Sequence, residues 1–289
     1  LIFANKKLEI TKSNLQLLER QVETDQARLE RGQITLADLA QSESSFAGAQ
    51  ASFIKSKNQI TTSKLNYENI IGTTVDINLL EDINNQIFST PKDLSGAIEI
   101  SKKNNPDLTI ARLEYEQADK DISIARSQLS PSATLSFENS RSEDFSATYD
   151  ERDKNTLKAT IKWPIYSGGK NIASLSKNRT LKNRKKLLFD YIIKTNDTNV
   201  SSAWSSFQAS ISLLKSVRSQ VKAAEIANEG ITVEYESGLG RSTLDVIQSN
   251  SILLNSKITL ADTEREYFLS QLNLLKSVGL LNSNYLKLQ

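Results

Sequence analysis

The sequence predicts a mainly α-helical chain, with long antiparallel coiled-coil hairpins in two repeats and a single pair of β-strands between them. Three observations predict it. Residues 31–42, "RGQITLADLAQS", and residues 237–249, "SGLGRSTLDVIQS", each carry a Gly followed by an Asp and then share Asp-x-x-Gln-Ser. A mostly apolar 3,4,3,4 spacing runs through Val200, Ala203, Phe207, Ser210, Leu214, Val217, Val221, Ala224, Asn228, Ile231 and Tyr235, a coiled-coil seam over five heptads. Around residues 133–163 the hydrophobic period drops from 3.6 to 2.

The two similar stretches belong to a longer repeat. Anchored on Asp38 and Asp245 the offset is 245 − 38 = 207, and it aligns Gln41 with Gln248, Ser42 with Ser249, Ser63 with Ser270, Asn66 with Asn273 and Gly72 with Gly279. Upstream of the tip the offset is 238 − 32 = 206, which pairs Gly32 with Gly238, Glu30 with Glu236 and Leu8 with Leu214. Register held on both sides of one inserted residue in a turn is the mark of a duplicated helical hairpin.

Each element follows from local chemistry. The first arm carries Leu8, Leu15, Leu18, Val22 and Leu29 and stops at Gly32, as Gly238 stops its counterpart. Thr35 and Ser242 are positioned as N-caps, each with an Asp three residues on, and open return arms over about 36–71 and 243–278. Residues 73–92 break the pattern and read as an irregular linker. A short helix is expected over 94–104 and another from Pro106 to about Gln128, because Pro suits the first helical turn. "SPS" stops it. Then Ala133, Leu135 and Phe137 alternate with polar residues, a polar turn is expected over Ser140–Lys154, and Leu157, Ala159, Ile161 and Trp163 alternate with Lys158, Thr160 and Lys162. Pro131 and Pro164 separate this strand pair, about 132–166, from the helices. "PIYSGGK" opens a helix over about 170–236, roughly 100 Å long. The implied divisions are a first-repeat hairpin at 1–72, the linker at 73–92 and a second repeat at 93–289.

Composition narrows the chemistry. The 289 residues include no Cys, His or Met. Thiolate chemistry, disulfides, the usual zinc sites and His-based acid–base catalysis are therefore excluded, no cofactor or metal is expected, and the carboxylates spread along helices do not describe an enzyme. With 36 basic and 34 acidic residues the net charge is +2, which argues against a nucleic-acid binder. One basic cluster, Lys177–Lys186, reads either as a solvated helix face or as a contact for phosphate or lipid headgroups. No run of apolar residues is long enough for a transmembrane helix. Each alternating run is about ten residues, which fits strands crossing a bilayer with Trp163 at the interface, and equally an amphipathic hairpin packed on a soluble core. A first residue of Leu rather than Met suggests a fragment or a processed form.

The duplicated hairpin, "NNPDLTIARLEYEQADKDISIARSQLSPSATLSF", "WPIYSGGK" and "YESGLGRSTLDVIQS" together resemble the TolC-type outer-membrane efflux protein family over nearly the whole chain. The resemblance implies a homotrimer in the bacterial outer membrane, with four strands per subunit in a twelve-stranded barrel and long helices forming a periplasmic tunnel. It implies that this chain lacks roughly the family's first third. It implies partners: outer-membrane lipid, a periplasmic adaptor and an inner-membrane pump. The hairpin tips, Gly32, Gln33, Gly238, Leu239 and Gly240, would meet the adaptor. Asp245 matches an acidic ring position at the entrance, Gln248 falls where a second acid can occur, Arg241 matches a basic gate residue and Asp38 its carboxylate partner. Tyr235 matches a gate tyrosine if the extra tip residue follows it. Mutual repulsion in a ring of three Asp245 carboxylates would raise their pKa values. Leu135, Phe137, Leu157, Ile161 and Trp163 are expected to face lipid, and Lys158 and Lys162 the lumen. The functional expectation is a duct for efflux or type I secretion. The alternative is a soluble periplasmic helical-hairpin adaptor or another coiled-coil interaction protein. Cargo is not readable from the sequence.

Overall fold

A computed structural model describes residues 1–74, 76–80, 89–146, 149–238 and 240–282. The elements run α1 (Ile2–Glu30), α2 (Leu36–Ile71), a 3-10 turn (Ile77–Leu79), α3 (Leu94–Asn104), α4 (Pro106–Ser127), β1 (Ser132–Ser146), β2 (Tyr149–Lys162), α5 (Lys170–Glu236) and α6 (Thr243–Ser277). They form two compact units, one from Leu1–Ala97 with Val200–Gln289 and one from Ile98–Asn199.

The first unit holds both hairpins. Every seam position from Val200 to Tyr235 is buried or half-buried, with Val200, Phe207, Leu214, Val217, Val221 and Tyr235 among the core. Leu18 of α1, Leu39, Ala49 and Ile60 of α2, and Val246, Ala261, Leu274 and Leu275 of α6 supply the rest. Apolar area removed from water is what holds such arms together, at about 25 cal/mol per Å². Charge sets the register at the far end from the tips: Glu264, almost buried on α6, takes the Lys6 ammonium of α1 and lies 3.7 Å from Arg218 of α5.

The two hairpins end alike, at the expected register. Thr35 and Ser242 each accept a hydrogen bond from the backbone N–H of the Asp three residues on, and that Asp accepts from the cap's own N–H at 2.9 Å. Gly32 and Gly238 both sit at positive φ, +70° and +74°, where a side chain would be strained. Gly72 and Gly279, paired by the repeat, are left-handed too, at +83° and +76°.

In the second unit α4 lies antiparallel to the first part of α5. Ala111, Ala118 and Ala125 are buried at seven-residue spacing and allow close approach. Lys182 pairs with Asp119 at 2.7 Å, Lys185 with Glu114 at 2.7 Å, and Asn171 donates to the Gln128 carbonyl at 3.1 Å. Two lysines of the basic cluster thus pair with α4 while remaining partly exposed. The Lys182 ammonium, bonded to Asp119, is held above the ordinary lysine range and the Asp119 carboxyl below its own. At the other end Ser101 and Asn105 both donate to the buried Asn196 Oδ1 of α5, at 2.8 and 2.7 Å.

The strand pair corrects the expected turn. β1 and β2 are 15 and 14 residues long, not about ten, and pair through the stretch expected to be a turn, with Ser140 opposite Lys154 and Glu143 opposite Glu151. Polarity does not stop a ladder whose backbone groups are paired. The side chains there also bond across the strands, Asn139 to Asn155 and Arg141 to Glu151 at 2.7 Å. At the other end β2 stops at Lys162, before Trp163-Pro164, so the expected extension to 166 is not strand.

Candidate functional site

The hairpin tips bring four helices together around one buried carboxylate. Asp25 of α1 is wholly buried. Gln21 Nε2 donates to both its oxygens at 3.0 Å, Ser42 of α2 donates to Oδ2, and the Tyr235 hydroxyl of α5 donates to Oδ1 at 2.8 Å. Tyr235 Oη also lies 3.0 Å from Thr243 Oγ1 of α6, and the Arg28 guanidinium stands 4.2 Å from the Tyr235 ring centroid. A buried charge without a contacting cation is costly, and full hydrogen bonding is what makes it tolerable. Asp25 has that bonding only while both hairpins are docked. Burial pushes the Tyr235 phenol above its ordinary value; its bond to Asp25 acts the same way and the Thr243 bond against it.

Sequence reasoning missed Asp25, although the signal was there. The positions 8, 11, 15, 18, 22, 25 and 29 keep the seam spacing, and Thr11 and Asp25 occupy it with polar side chains, both buried. Thr11 satisfies its hydroxyl on the Lys7 and Leu8 carbonyls, whereas Asp25 looks to the second hairpin.

The expected gate residues fall at the tips, with two changes. Arg241 does not pair with Asp38 within this chain; its Nε donates to Glu234 at 2.6 Å, across the tip of its own hairpin. Glu234 lies seven residues earlier on α5, and the turn returns the chain beside it. Asp38 instead bonds Thr35. The carboxyls of Asp38 and Asp245 are held below the usual range, first by the backbone N–H and then by the hydroxyl of their caps. Gly32, Gln33, Gly238 and Gly240 are exposed at the tips, and Gln248 is exposed one turn into α6; Leu239 lies outside the described residues.

The strand register sorts the hairpin into two faces. Ala133 faces Ile161, Leu135 faces Ala159 and Phe137 faces Leu157, so Leu135, Phe137, Leu157 and Ile161 share one side, while Trp163 lies just past the end of β2. Leu135, Phe137, Leu157, Ile161 and Trp163 are each at least 63% exposed, so none of the described residues covers them. From Leu157 to Ile161 this apolar stretch measures about 13 Å along the strand. Lys158 and Lys162 lie on the other face, opposite Ser136 and Ser132. Among the described residues no helix is long and apolar enough to cross a membrane.

Comparison with known proteins agrees with this geometry. The outer membrane efflux protein family matches residues 97–280. The outer membrane efflux protein BepC of Brucella suis biovar 1 (strain 1330) is 24% identical, over 97% of this chain and 61% of its own. The outer membrane protein TolC of Vibrio cholerae serotype O1 is 25% identical, over 96% of this chain and 65% of its own. The chain thus spans about three fifths of the length of these relatives. Among solved structures, CusC superimposes with a TM-score of 0.80 at 17% identity, over 96% of this chain and 65% of its own, a likeness of fold. Duplicated capped hairpins, a two-faced strand pair and a family match over most of the chain lead to one assignment: the chain belongs to the outer membrane efflux protein family.

Proposed function

We propose that this chain is the greater part of a subunit of an outer-membrane duct for efflux or type I secretion, a conduit rather than a catalyst. The observation that carries the reading is the strand pair. One face is apolar and uncovered, and the other carries lysines and hydroxyls, the division of a strand between lipid and a water-filled lumen. Two strands leave open edges that lipid cannot satisfy, so the reading requires closure into a barrel with further strands and subunits, a homotrimer in the family's manner. The helical hairpins then form the periplasmic part, and their tips form its entrance and the contact for a periplasmic adaptor and inner-membrane pump.

At that entrance Asp245, Asp38, Arg241 and Tyr235 act as gate residues. Asp245 and Asp38 do double duty as helix caps. Arg241, bonded to Glu234, stiffens the tip of its own hairpin. Tyr235 joins the hairpins through Asp25, so opening means separating that bond. The test is reconstitution of the full-length protein into planar bilayers. A trimer with discrete conductance steps is expected. A water-soluble protein that neither inserts nor conducts would instead indicate the helical-hairpin adaptor.

A further inference from the structure

The polar face of the strand pair has an unbalanced charge pattern. Lys154, Lys158 and Lys162 recur on it every fourth residue, opposite Ser140, Ser136 and Ser132. Between Ser132 and Ser142 on β1 the same face holds one acid, Glu138, opposite Thr156; its remaining positions up to Arg152 on β2 are Ser or Thr. All three lysines are exposed, and none forms an ion pair among the described residues. Among the acids with described side chains, Glu143, Glu151 and Asp153 lie on the opposite face, where Arg141 bonds Glu151 and Asp153 lies across from Arg141. Steps of four residues separate the ammonium groups by about 14 Å along the strand. That exceeds the ~10 Å over which 0.1 M salt screens charge, so the three do not crowd one another.

We propose that Lys154, Lys158 and Lys162 make the barrel lumen a binding stretch for polyvalent anions. The proposal rests on the duct reading, which places this face around water. Repeated by symmetry, each lysine becomes one corner of a ring of like charge within low-dielectric walls, an arrangement that concentrates counter-ions. The hydroxyls between the rings donate to anion oxygens. A chain of phosphate or sulfate groups can bridge successive levels, whereas chloride meets one at a time. The acidic tips at the entrance disfavour the same ligands, so the duct is electrically asymmetric.

The test uses full-length trimers inserted in one orientation in a planar bilayer, with inorganic tripolyphosphate as probe. Added on the barrel side, tripolyphosphate should block current at a concentration at least tenfold lower than on the entrance side. Lys154→Gln, Lys158→Gln and Lys162→Gln combined should raise the blocking concentration at least tenfold and move the reversal potential in a KCl gradient toward cation selectivity. Lys158→Gln alone, the mildest change, should shift both partway, and Lys158→Arg should shift neither. Conducting trimers with the same block in wild type and in Lys158→Gln overturn the anion site and leave the duct standing. A wild-type trimer that inserts and passes no current overturns the duct, and the site with it.

Discussion

Replacing Tyr235 with Phe deletes one oxygen at the junction of all four hairpin helices. The ring, its burial and its contact with Arg28 remain. What disappears is the 2.8 Å hydrogen bond to Asp25 and the 3.0 Å contact with Thr243. A hydrogen bond to a charged group contributes about 1.5–3 kcal/mol, and the carboxylate keeps Gln21 and Ser42. A loss of about 2 kcal/mol per subunit follows, roughly a thirty-fold shift toward separated hairpins. In bilayers the full-length Tyr235→Phe trimer should therefore spend more time open at low voltage, while the conductance of the fully open state stays the same. Because the bonds lie between helices rather than within one, the helical circular dichroism should not change. Unchanged open probability with unchanged thermal stability would show that Asp25 is satisfied without Tyr235 and that the junction does not hold the entrance.

The same junction predicts a pH response. The Tyr235 phenol is raised above its ordinary value of 10.0, so its contribution is complete below pH 10 and is lost as pH rises through the folded-state value. Closed-state conductance should stay flat up to about pH 10 and rise above it, and Tyr235→Phe should abolish that rise. The caps predict an equivalence: Thr35→Ala and Ser242→Ala should each cost about 1 kcal/mol, seen as similar drops in thermal midpoint, and very different drops would argue against matched tips. Arg241→Ala and Glu234→Ala should give equal, small changes in open probability, and the double substitution no more than either alone, since an exposed pair contributes little. A large effect of Arg241→Ala that Glu234→Ala does not share would mean that Arg241 acts on another partner, such as an Asp38 in a neighbouring subunit.

Much of the fold was legible because its boundaries are set by local chemistry. Thr35 with Asp38 and Ser242 with Asp245 start helices wherever they occur before an apolar seam, and Gly32 and Gly238 end them. The start of α2 at Leu36 and of α6 at Thr243 follows from such signals. The length of the strands could not. Residues 140–154 are polar and looked like a turn, but a ladder depends on backbone pairing, and Arg141–Glu151 and Asn139–Asn155 make the polar stretch self-consistent. At the candidate site the tips were legible and their partners were not. Asp25 kept the heptad spacing but was passed over because a seam was sought in apolar residues. The Arg241–Glu234 bond crosses a turn that includes the inserted residue, so the repeat could not position it.

The central claim, that the strand pair separates lipid from a water-filled lumen, is tested most directly by cysteine accessibility. These 289 residues contain no Cys, so Ile161→Cys and Lys158→Cys each introduce the one thiol among them. In the assembled full-length trimer in membranes, a water-soluble maleimide should label position 158 and leave 161 unlabelled, while a lipid-soluble one should reach 161. Water-soluble labelling of position 161 with protection of 158 would contradict the account.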